Sequence, residues 1–179
     1  MVDWLVNAEL SVLRFLNSIH NPVTDEIFVF ITHLGDKGLL WIVIGIFLCF
    51  FKKYRKSGVT MLLSLIMMLI IGNLTLKPII ARVRPYEHMG EISLLIQRPT
   101  DFSFPSGHTF SSFAAAFSVL FYNKKLGTGF ILLATLIAFS RLYLCVHFPS
   151  DVLCGALMGV GTAYLSKYVI CNINLMKNI

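Results

Sequence analysis

Three short stretches of the chain combine histidine, arginine and lysine side chains with apolar sequence. In chain order, the residues of interest are Lys77, Arg84, His108, Arg141, His147 and Asp151. A neutral imidazole is a nucleophile near pH 7, and a carboxylate that accepts its Nδ1–H fixes the tautomer and favours the positive charge that builds up during attack. These residue types therefore indicate nucleophilic and acid–base chemistry at a cationic site.

Lysine and arginine side chains at the ends of apolar segments need a partner. Near the bilayer centre either one costs about 2.5 to 3.5 kcal/mol on insertion scales, so such residues usually bind a counter-charge or serve a function. Asp151 is the one acid within the three stretches, and Lys77, Arg84 and Arg141 outnumber it. Arginine offers a planar fork that matches phosphate oxygens, and lysine adds a point charge. We therefore expect these three side chains, the cationic cup, to bind an external phosphoryl group.

Ser106 and Gly107 precede a further apolar run. Serine is a favoured N-cap, and the unpaired backbone N–H groups at a helix start attract anions, with glycine permitting close approach. The sequence thus predicts a phosphate-binding helix end at Ser106 and Gly107. His147 and Asp151 stand four residues apart, on one face of a helical turn, and Pro149 between them predicts that the helix proper begins there.

The chain resembles the type 2 phosphatidic acid phosphatase (PAP2) superfamily in three motifs. The superfamily signature reads K-x6-R-P, P-S-G-H and S-R-x5-H-x3-D, and these motifs occur here at residues 77–85, 105–108 and 140–151. P-S-G-H alone would be weak, but all three motifs stand in order at the ends of apolar segments. The pattern of apolar segments on both sides also agrees with that family.

The resemblance implies a role for each motif residue. In the superfamily, the histidine of the third motif attacks phosphorus, the aspartate orients it, and the histidine of the second motif protonates the leaving group. By position, His147 is then the nucleophile, Asp151 its orienting partner and His108 the general acid, which later serves as base when water hydrolyses the phosphohistidine. The resemblance implies neither a cofactor nor a metal, because protein cations stabilise the charge. The implied phosphate-binding residues are Lys77, Arg84, Ser106, Gly107 and Arg141.

Other polar residues have simpler interpretations. An ordinary solvated loop explains four of them as well as contact with a head group does, and they are left out of the predicted site: Arg82, Tyr86, His88 and Arg98. His20 and His33 lie outside every motif, and a structural role is favoured for both.

The composition places the chain in a bilayer. Of its 179 residues, 56% are hydrophobic and 13% are charged, which is too apolar for a soluble domain. Four or five segments approach the roughly 20 residues that cross the hydrocarbon core, at about 36–51, 58–77, 107–122, 126–145 and 151–170. We predict an all-α membrane bundle of five or six transmembrane helices, forming one domain over residues 1–179.

The N-terminal region allows two interpretations. Residues 2–20 place polar and apolar side chains on opposite sides of a helix, which fits a helix lying in the membrane interface. They fit equally well the first half of a broken sixth span, kinked at Asn21-Pro22 and continued by residues 27–31. Residues 1–34 are therefore expected to form an interfacial or broken helix, and residues 36–171 the core spans.

The loops predict an orientation, because lysine and arginine accumulate on the cytoplasmic side. Basic residues fill 52–56 and 124–125 and flank the C-terminal end at Lys167 and Lys177. Five alternating spans put all of these on one side and every motif on the other, extracytoplasmic side. The net charge of +6 follows from this pattern and from an anionic substrate, so no nucleic-acid partner is predicted.

The resemblance therefore implies a bacterial cytoplasmic-membrane enzyme that hydrolyses a membrane lipid phosphate. Undecaprenyl diphosphate is the favoured substrate, with phosphatidylglycerol phosphate or phosphatidic acid phosphatase activity of broad specificity as the alternative. Two other classes stay open, a vanadate-binding oxidase and a lipid-binding protein without turnover. A halide oxidation assay discriminates the first, and phosphate release in the presence of EDTA discriminates the second.

Overall fold

The computed structural model describes residues 3–90 and 92–172, which form helices joined by turns and loops and contain no strand. The helices are α1 (Asp3–Ser18), α2 (Pro22–His33), α3 (Leu39–Phe50), α4 (Arg55–Met68), α5 (Lys77–Ile80), α6 (Gly107–Leu120), α7 (Lys124–Tyr143) and α8 (Pro149–Asn172). A π-helical segment, Leu69–Leu76, joins α4 to α5 without a break. Short 3-10 turns cover Asp36–Gly38 and Pro85–His88. The all-α prediction is confirmed for these residues, and Lys177 lies outside them.

Four helical stretches in the described part of the chain are long and apolar enough to cross a membrane. They are Pro22–Phe50, Arg55–His88, Lys124–Tyr143 and Pro149–Asn172. The first begins at Pro22, well before the predicted start at residue 36, because α2 and α3 follow each other across the turn at Asp36–Gly38. The membrane fold is thus confirmed, whereas a count of five or six spans is not.

Helix α6 is one of the shorter predicted spans and lies at the centre of the bundle. Its 14 residues pack against α4, α7 and α8. Close approach to α8 depends on glycine, since a Cβ atom built on Gly159 would lie 2.7 Å from the Phe110 carbonyl oxygen. The serine-rich sequence of α6 is buried in protein, where Ser112 Oγ accepts a hydrogen bond of 2.9 Å from Trp41 Nε1. Protein neighbours therefore satisfy polar groups that lipid would not.

The N-terminal helix packs on the turn that carries the third motif. Leu10, Leu13 and Leu16 of α1 are buried against Cys145 and Phe148. After α1 ends, Asn21 caps α2, with its Oδ1 accepting from the Thr24 backbone N–H at 3.1 Å, and Pro22 takes the first helical position. The break is where the sequence predicted a kink, while interfacial or spanning placement of α1 stays a prediction.

The basic connections lie at the end of the bundle away from the motifs. Thr60 Oγ1 and Tyr122 OH, 3.1 Å apart, hold the start of α4 beside the α6–α7 connection. Lys167 Nζ lies 4.9 Å from the centroid of the Phe121 ring, which brings the C-terminal part of α8 to the same end. All three motifs are carried by the opposite helix ends.

Candidate active site

The three motifs meet around His147 and Asp151. Arg84 Nη1 lies 3.2 Å from His147 Nε2, which joins the first motif to the third. The backbone N–H of Ser106 donates to the Asp151 carbonyl oxygen at 3.2 Å, which joins the second motif to the third. Helix α8 begins at Pro149, as predicted, so this turn and the first turn of α6 are held together by backbone contact.

Lys77 and Arg141 complete the cationic cup. A Cβ atom built on Gly107 would lie 4.0 Å from Lys77 Nζ, so the lysine reaches the start of α6. Arg141 is 3% exposed and donates from Nη1 to Thr32 Oγ1. Its Nε has no hydrogen-bond partner, and among the described residues Arg141 makes no ion pair. It is therefore a buried cation with free hydrogen-bonding capacity.

The surroundings of His147 keep its imidazole neutral. Burial, together with the charges of Arg84, Arg141 and Lys77, holds the pKa of His147 well below its usual range. A guanidinium can only donate, so the contact with Arg84 requires that Nε2 carry a lone pair and Nδ1 carry the proton. A nucleophile needs a lone pair, and Nε2 carries it. This lone pair becomes free to attack once Arg84 donates to an incoming anion instead.

We expect His147 to remain neutral at a pH where an ordinary histidine is half protonated. Its lowered pKa means that protonation, which would remove the nucleophile, occurs only as the pH falls well below about 6.5. Nitrogen-15 NMR of histidine-labelled protein, with His147→Gln to assign the signal, should show the Nδ1–H tautomer at about pH 6. A signal that titrates near 6.5 would contradict this electrostatic picture.

Asp151 is held by more partners than the sequence indicated. Its Oδ2 accepts from Ser103 Oγ at 2.5 Å and from the Phe148 backbone N–H at 2.9 Å. His147 Nδ1 lies 3.6 Å from the same oxygen, which is longer than a hydrogen bond, and 3.4 Å from Ser103 Oγ. The predicted direct Nδ1–H bond to Asp151 is therefore not formed here, because the Ser103 hydroxyl stands next to both groups.

Two expectations about the cup itself were wrong. The sequence indicated that no acid neutralises the cations, yet Asp101 pairs with Lys77 and, at 2.7 Å, with Arg84 Nη2. Burial alone would raise the pKa of Asp101, but these contacts lower the pKa to about 2, so the carboxylate is ionised. Ser106 occupies the N-cap position of α6, but its hydroxyl contacts Thr109 Oγ1 at 3.0 Å instead of capping a backbone N–H.

Comparison with known proteins gives this site a family. A sequence profile described as the PAP2 superfamily matches residues 57–174, which include all three motifs. The chain belongs to the PAP2 superfamily. The family and hydrolase predictions are thereby confirmed, and the protein is a membrane phosphatase of the PAP2 type.

Three relatives illustrate the range of this family. An undecaprenyl-diphosphatase of Sulfolobus acidocaldarius is 34% identical over 167 residues, which cover 91% of this chain and 78% of that protein. The crystal structure of a PAP2-type phosphatidylglycerolphosphate phosphatase from Bacillus subtilis superposes with a TM-score of 0.76 at 28% identity, covering 95% of this chain and 88% of that one. Aquifex aeolicus LpxE gives a TM-score of 0.77 at 30% identity, covering 88% and 93%.

Arg82 is part of the PAP2 site, although the sequence favoured a solvated loop equally. Its Nη1 donates to Asp151 Oδ1 at 2.5 Å and its Nη2 to Glu9 Oε2 at 2.8 Å. Glu9 Oε1 also accepts from the Ser150 backbone N–H at 2.7 Å. Glu9 is buried on α1, outside every motif, and nothing in its sequence neighbourhood indicated this contact. The N-terminal helix thus takes part in holding Asp151.

His108 lies at the start of α6 and contacts a residue that sequence reasoning missed. Its Nε2 is 3.0 Å from Asp36 Oδ1, and Asp36 Oδ2 is 2.8 Å from His33 Nδ1. His33 was interpreted as structural on the ground that it lies outside the motifs. His33 is the last residue of α2 and Asp36 lies in the turn that follows, so both reach the PAP2 site from the side.

A mostly apolar groove leads from His108 to the outer surface of the bundle. Its volume is about 630 Å³, and its lining includes Asn73, Gly107 and His108. The remaining lining, from the α2–α3 turn, α3, α4, the π-helical segment and α6, is Gly35, Lys37, Gly38, Ile42, Ile46, Leu62, Leu65, Ile66, Met68, Leu69 and Ser111. Because several of these side chains, such as Ile46 and Ile66, are exposed on the lipid-facing surface, the groove opens sideways.

Proposed function

We propose that the protein hydrolyses undecaprenyl diphosphate to undecaprenyl phosphate, through a phosphohistidine at His147 and without a metal. The observation that carries this proposal is the meeting of three cations with a neutral, buried imidazole whose Nε2 lone pair faces Arg84. Such a site attracts a phosphoryl group and attacks it. A lipid-binding role without turnover would require neither the lone pair nor the network that holds Asp151.

The proposed reaction begins when the terminal phosphoryl group enters the cationic cup. It replaces His147 and Asp101 as the partner of Arg84, and it takes up the free capacity of Arg141 Nε. Nε2 then forms a bond to phosphorus as the bond to the leaving oxygen breaks, and His108 protonates that oxygen. The positive charge that develops on His147 is stabilised through Nδ1–H by Ser103 and Asp151.

Water completes the proposed cycle. His108, now neutral, accepts a proton from a water molecule that attacks the phosphohistidine, and the P–N bond breaks to release inorganic phosphate. Lys77, Arg84 and Arg141 stabilise the charge on the transferring group in both steps, so the protein itself supplies the electrostatic stabilisation.

Two observations favour a long-chain lipid diphosphate as substrate. The relative from Sulfolobus acidocaldarius, which carries the name undecaprenyl-diphosphatase, aligns with 91% of this chain. The lateral groove begins at His108 and is lined by branched side chains such as Ile42 and Ile66, which suit an apolar tail. The resemblance of the whole fold to the Bacillus subtilis phosphatidylglycerolphosphate phosphatase favours that lipid as the second candidate.

The proposed location is the extracytoplasmic face of the bacterial plasma membrane. It is supported by the basic residues at 52–56 and 124–125, which mark the opposite end as cytoplasmic. Phosphate release from a membrane-impermeant lipid analogue by intact cells would support this sidedness, whereas activity seen only after permeabilisation would contradict it.

The decisive assay measures inorganic phosphate released by purified protein, with EDTA present, from a panel of isoprenyl diphosphates, phosphatidic acid and phosphatidylglycerol phosphate. We expect undecaprenyl diphosphate to give the highest kcat/KM. Preference for phosphatidylglycerol phosphate would assign the second candidate, and release from none of them would contradict the proposed phosphatase reaction. Halide oxidation by vanadate-loaded protein tests the oxidase class in the same preparation.

A larger side chain in the groove should weaken the binding of long-chain substrates and leave substrates without a tail unaffected. Ile66→Trp places a larger side chain in the lining, so we expect KM for a long-chain diphosphate to rise about tenfold, since roughly 1 to 2 kcal/mol of apolar contact is lost. Turnover of p-nitrophenyl phosphate, which has no tail, should stay unchanged. Leu153→Trp, at an exposed position on α8 outside the groove, is the matched control. Equal effects on both substrates would mean that the groove does not hold the tail.

A further inference from the structure

The turn between α2 and α3 is built around the His108 ring. A Cβ atom on Gly35 would lie 2.6 Å from His108 Cδ2, so no larger residue fits against this edge of the ring. Asp36 is the next residue, and its Oδ1 lies 3.0 Å from Nε2 of the same ring. Lys37 and Gly38 then take left-handed backbone conformations, with φ of 52° and 67°, which turn the chain into α3.

Asp36 links two imidazoles. Oδ1 faces His108 Nε2, and Oδ2 faces His33 Nδ1 at 2.8 Å. The His108 side chain is 19% exposed, whereas those of Asp36 and His33 are 53% and 58% exposed. The three groups therefore form a line from the PAP2 site to the surface of the bundle.

We propose that Asp36 is a positioning residue that holds His108 in the orientation of a general acid and favours its protonated form, with His33 fixing the carboxylate. This inference rests on the proposed function, because it assigns a supporting residue to the acid of that reaction. An ionised carboxylate only accepts, so the contact with Asp36 puts a proton on Nε2 and leaves Nδ1 to exchange a proton with the leaving group.

The charges around His108 explain why such a residue is needed. Arg141 of α7 and Lys77 of α5 are the cations that act on the ring, and Asp36 of the α2–α3 turn is the acid that opposes them. His33 of α2 faces the ring through Asp36. Nearby positive charges disfavour a second proton on an imidazole, and a carboxylate in contact favours it. Without Asp36, His108 would face two cations with no compensating charge.

The proton balance shows which substrates depend on Asp36. In the first step, Nδ1–H of protonated His108 passes its proton to the leaving oxygen as the P–O bond breaks, and neutral His108 keeps Nε2–H on Asp36. An alkyl monophosphate releases an alkoxide, a strong base that must be protonated, whereas an alkyl diphosphate releases a phosphate, which leaves readily without a proton. Loss of the acid therefore slows the monophosphate far more than the diphosphate.

The test compares dodecyl monophosphate with dodecyl diphosphate, which share one tail. In Asp36→Asn we expect turnover of the monophosphate to fall about thirtyfold and turnover of the diphosphate to fall less than about threefold, as general acid catalysis typically contributes a hundredfold or more. The ratio of the two rates within one sample does not depend on how much protein is folded. His108→Gln should also slow the monophosphate more than the diphosphate, but it should slow both, because the shared hydrolysis of the phosphohistidine loses its base. The double variant should lose no more than His108→Gln alone.

A control variant and an NMR titration complete this test of Asp36. Glu26→Gln, which removes an exposed acid on α2, should leave the ratio unchanged. Nitrogen-15 NMR should show that His108 becomes protonated at a lower pH in Asp36→Asn than in the wild type, because the carboxylate that favours its charged form is gone. This measurement needs no substrate.

Equal losses on both substrates together with an unshifted His108 titration would overturn the role of Asp36. The proposed function would survive that result, because it is tested separately, by phosphate release from the lipid panel and by His147→Ala. If the wild type hydrolyses only the diphosphate, the His108 titration alone decides: a shift to lower pH supports the positioning role, and no shift overturns it.

Discussion

Replacing His147 with alanine is expected to lower turnover by at least about a thousandfold, while binding of the lipid substrate persists. The reason is that Nε2 of His147 supplies the bond to phosphorus, and His108, the other imidazole of the proposed site, serves the leaving oxygen and the water instead. Lys77, Arg84 and Arg141 remain in the variant and continue to attract the phosphoryl group. The measurements are phosphate release at saturating substrate and a direct binding assay in detergent.

The covalent intermediate provides a second readout for this variant. Rapid quenching with a phosphorus-labelled substrate should trap acid-labile, base-stable label on the wild type and none on His147→Ala. His88→Ala is the matched control, because His88 is an exposed histidine near the third motif. The centroids of the His88 and Phe148 rings lie 6.3 Å apart. Turnover close to that of the wild type in His147→Ala, or label retained on it, would end the proposed mechanism.

The motif residues could be placed from the sequence because each stands at the end of an apolar segment. Once Lys77, His108 and Asp151 are assigned to helix ends on one side of a bundle, a common site follows from the length of the segments. Resemblance to the PAP2 superfamily then implied a role for each one. Loop positions were beyond this reasoning, since residues 89–90 and 92–106 form no regular helix and their path depends on the contacts that Asp101 and Ser103 make.

The residues missed by sequence reasoning share one property, which is that they reach the site from elements without a motif. Glu9 comes from α1, His33 from the end of α2, and Asp36 from the connection between α2 and α3. A single acid in an amphipathic helix is most simply explained as a solvated residue. Only tertiary packing, such as the burial of Leu13 against Cys145, brings Glu9 next to Arg82.

The prediction that α6 is a span is not confirmed, and most of its polar residues are buried in protein. The apolar run of α6 suggested a lipid-crossing segment, and most of its 14 residues are buried in the bundle, where α6 packs against α8 at Gly155 and Gly159. Hydropathy cannot distinguish a helix surrounded by other helices from one surrounded by lipid, because both are apolar. The joining of α2 to α3 was missed because Gly35, Asp36 and Gly38 are typical of a loop.

Arg141→Met is expected to reduce turnover by about a hundredfold or more, because a donor aimed at developing phosphoryl charge is lost from a buried site. The same substitution should leave the ligand-free protein as stable as the wild type or more stable. Arg141 is buried without an ion pair among the described residues, and its Nε has no partner. A buried, uncompensated cation costs free energy, and an apolar side chain of similar length removes that cost.

Phosphate or vanadate binding distinguishes this site-specific role from a structural one. Either anion should raise the apparent unfolding temperature of the wild type by mass action, and should raise that of Arg141→Met much less, because the variant has lost a cation of the cup. Thr32→Val is the matched control: it removes the hydrogen bond between Thr32 Oγ1 and Arg141 but keeps the charge, so its response to the anion should resemble that of the wild type.

If Arg141→Met unfolds at a lower temperature and responds to the anion like the wild type, Arg141 serves to join α2 to α7. If instead the response is lost while stability is kept, the guanidinium is buried at a cost in stability because it binds the phosphoryl group.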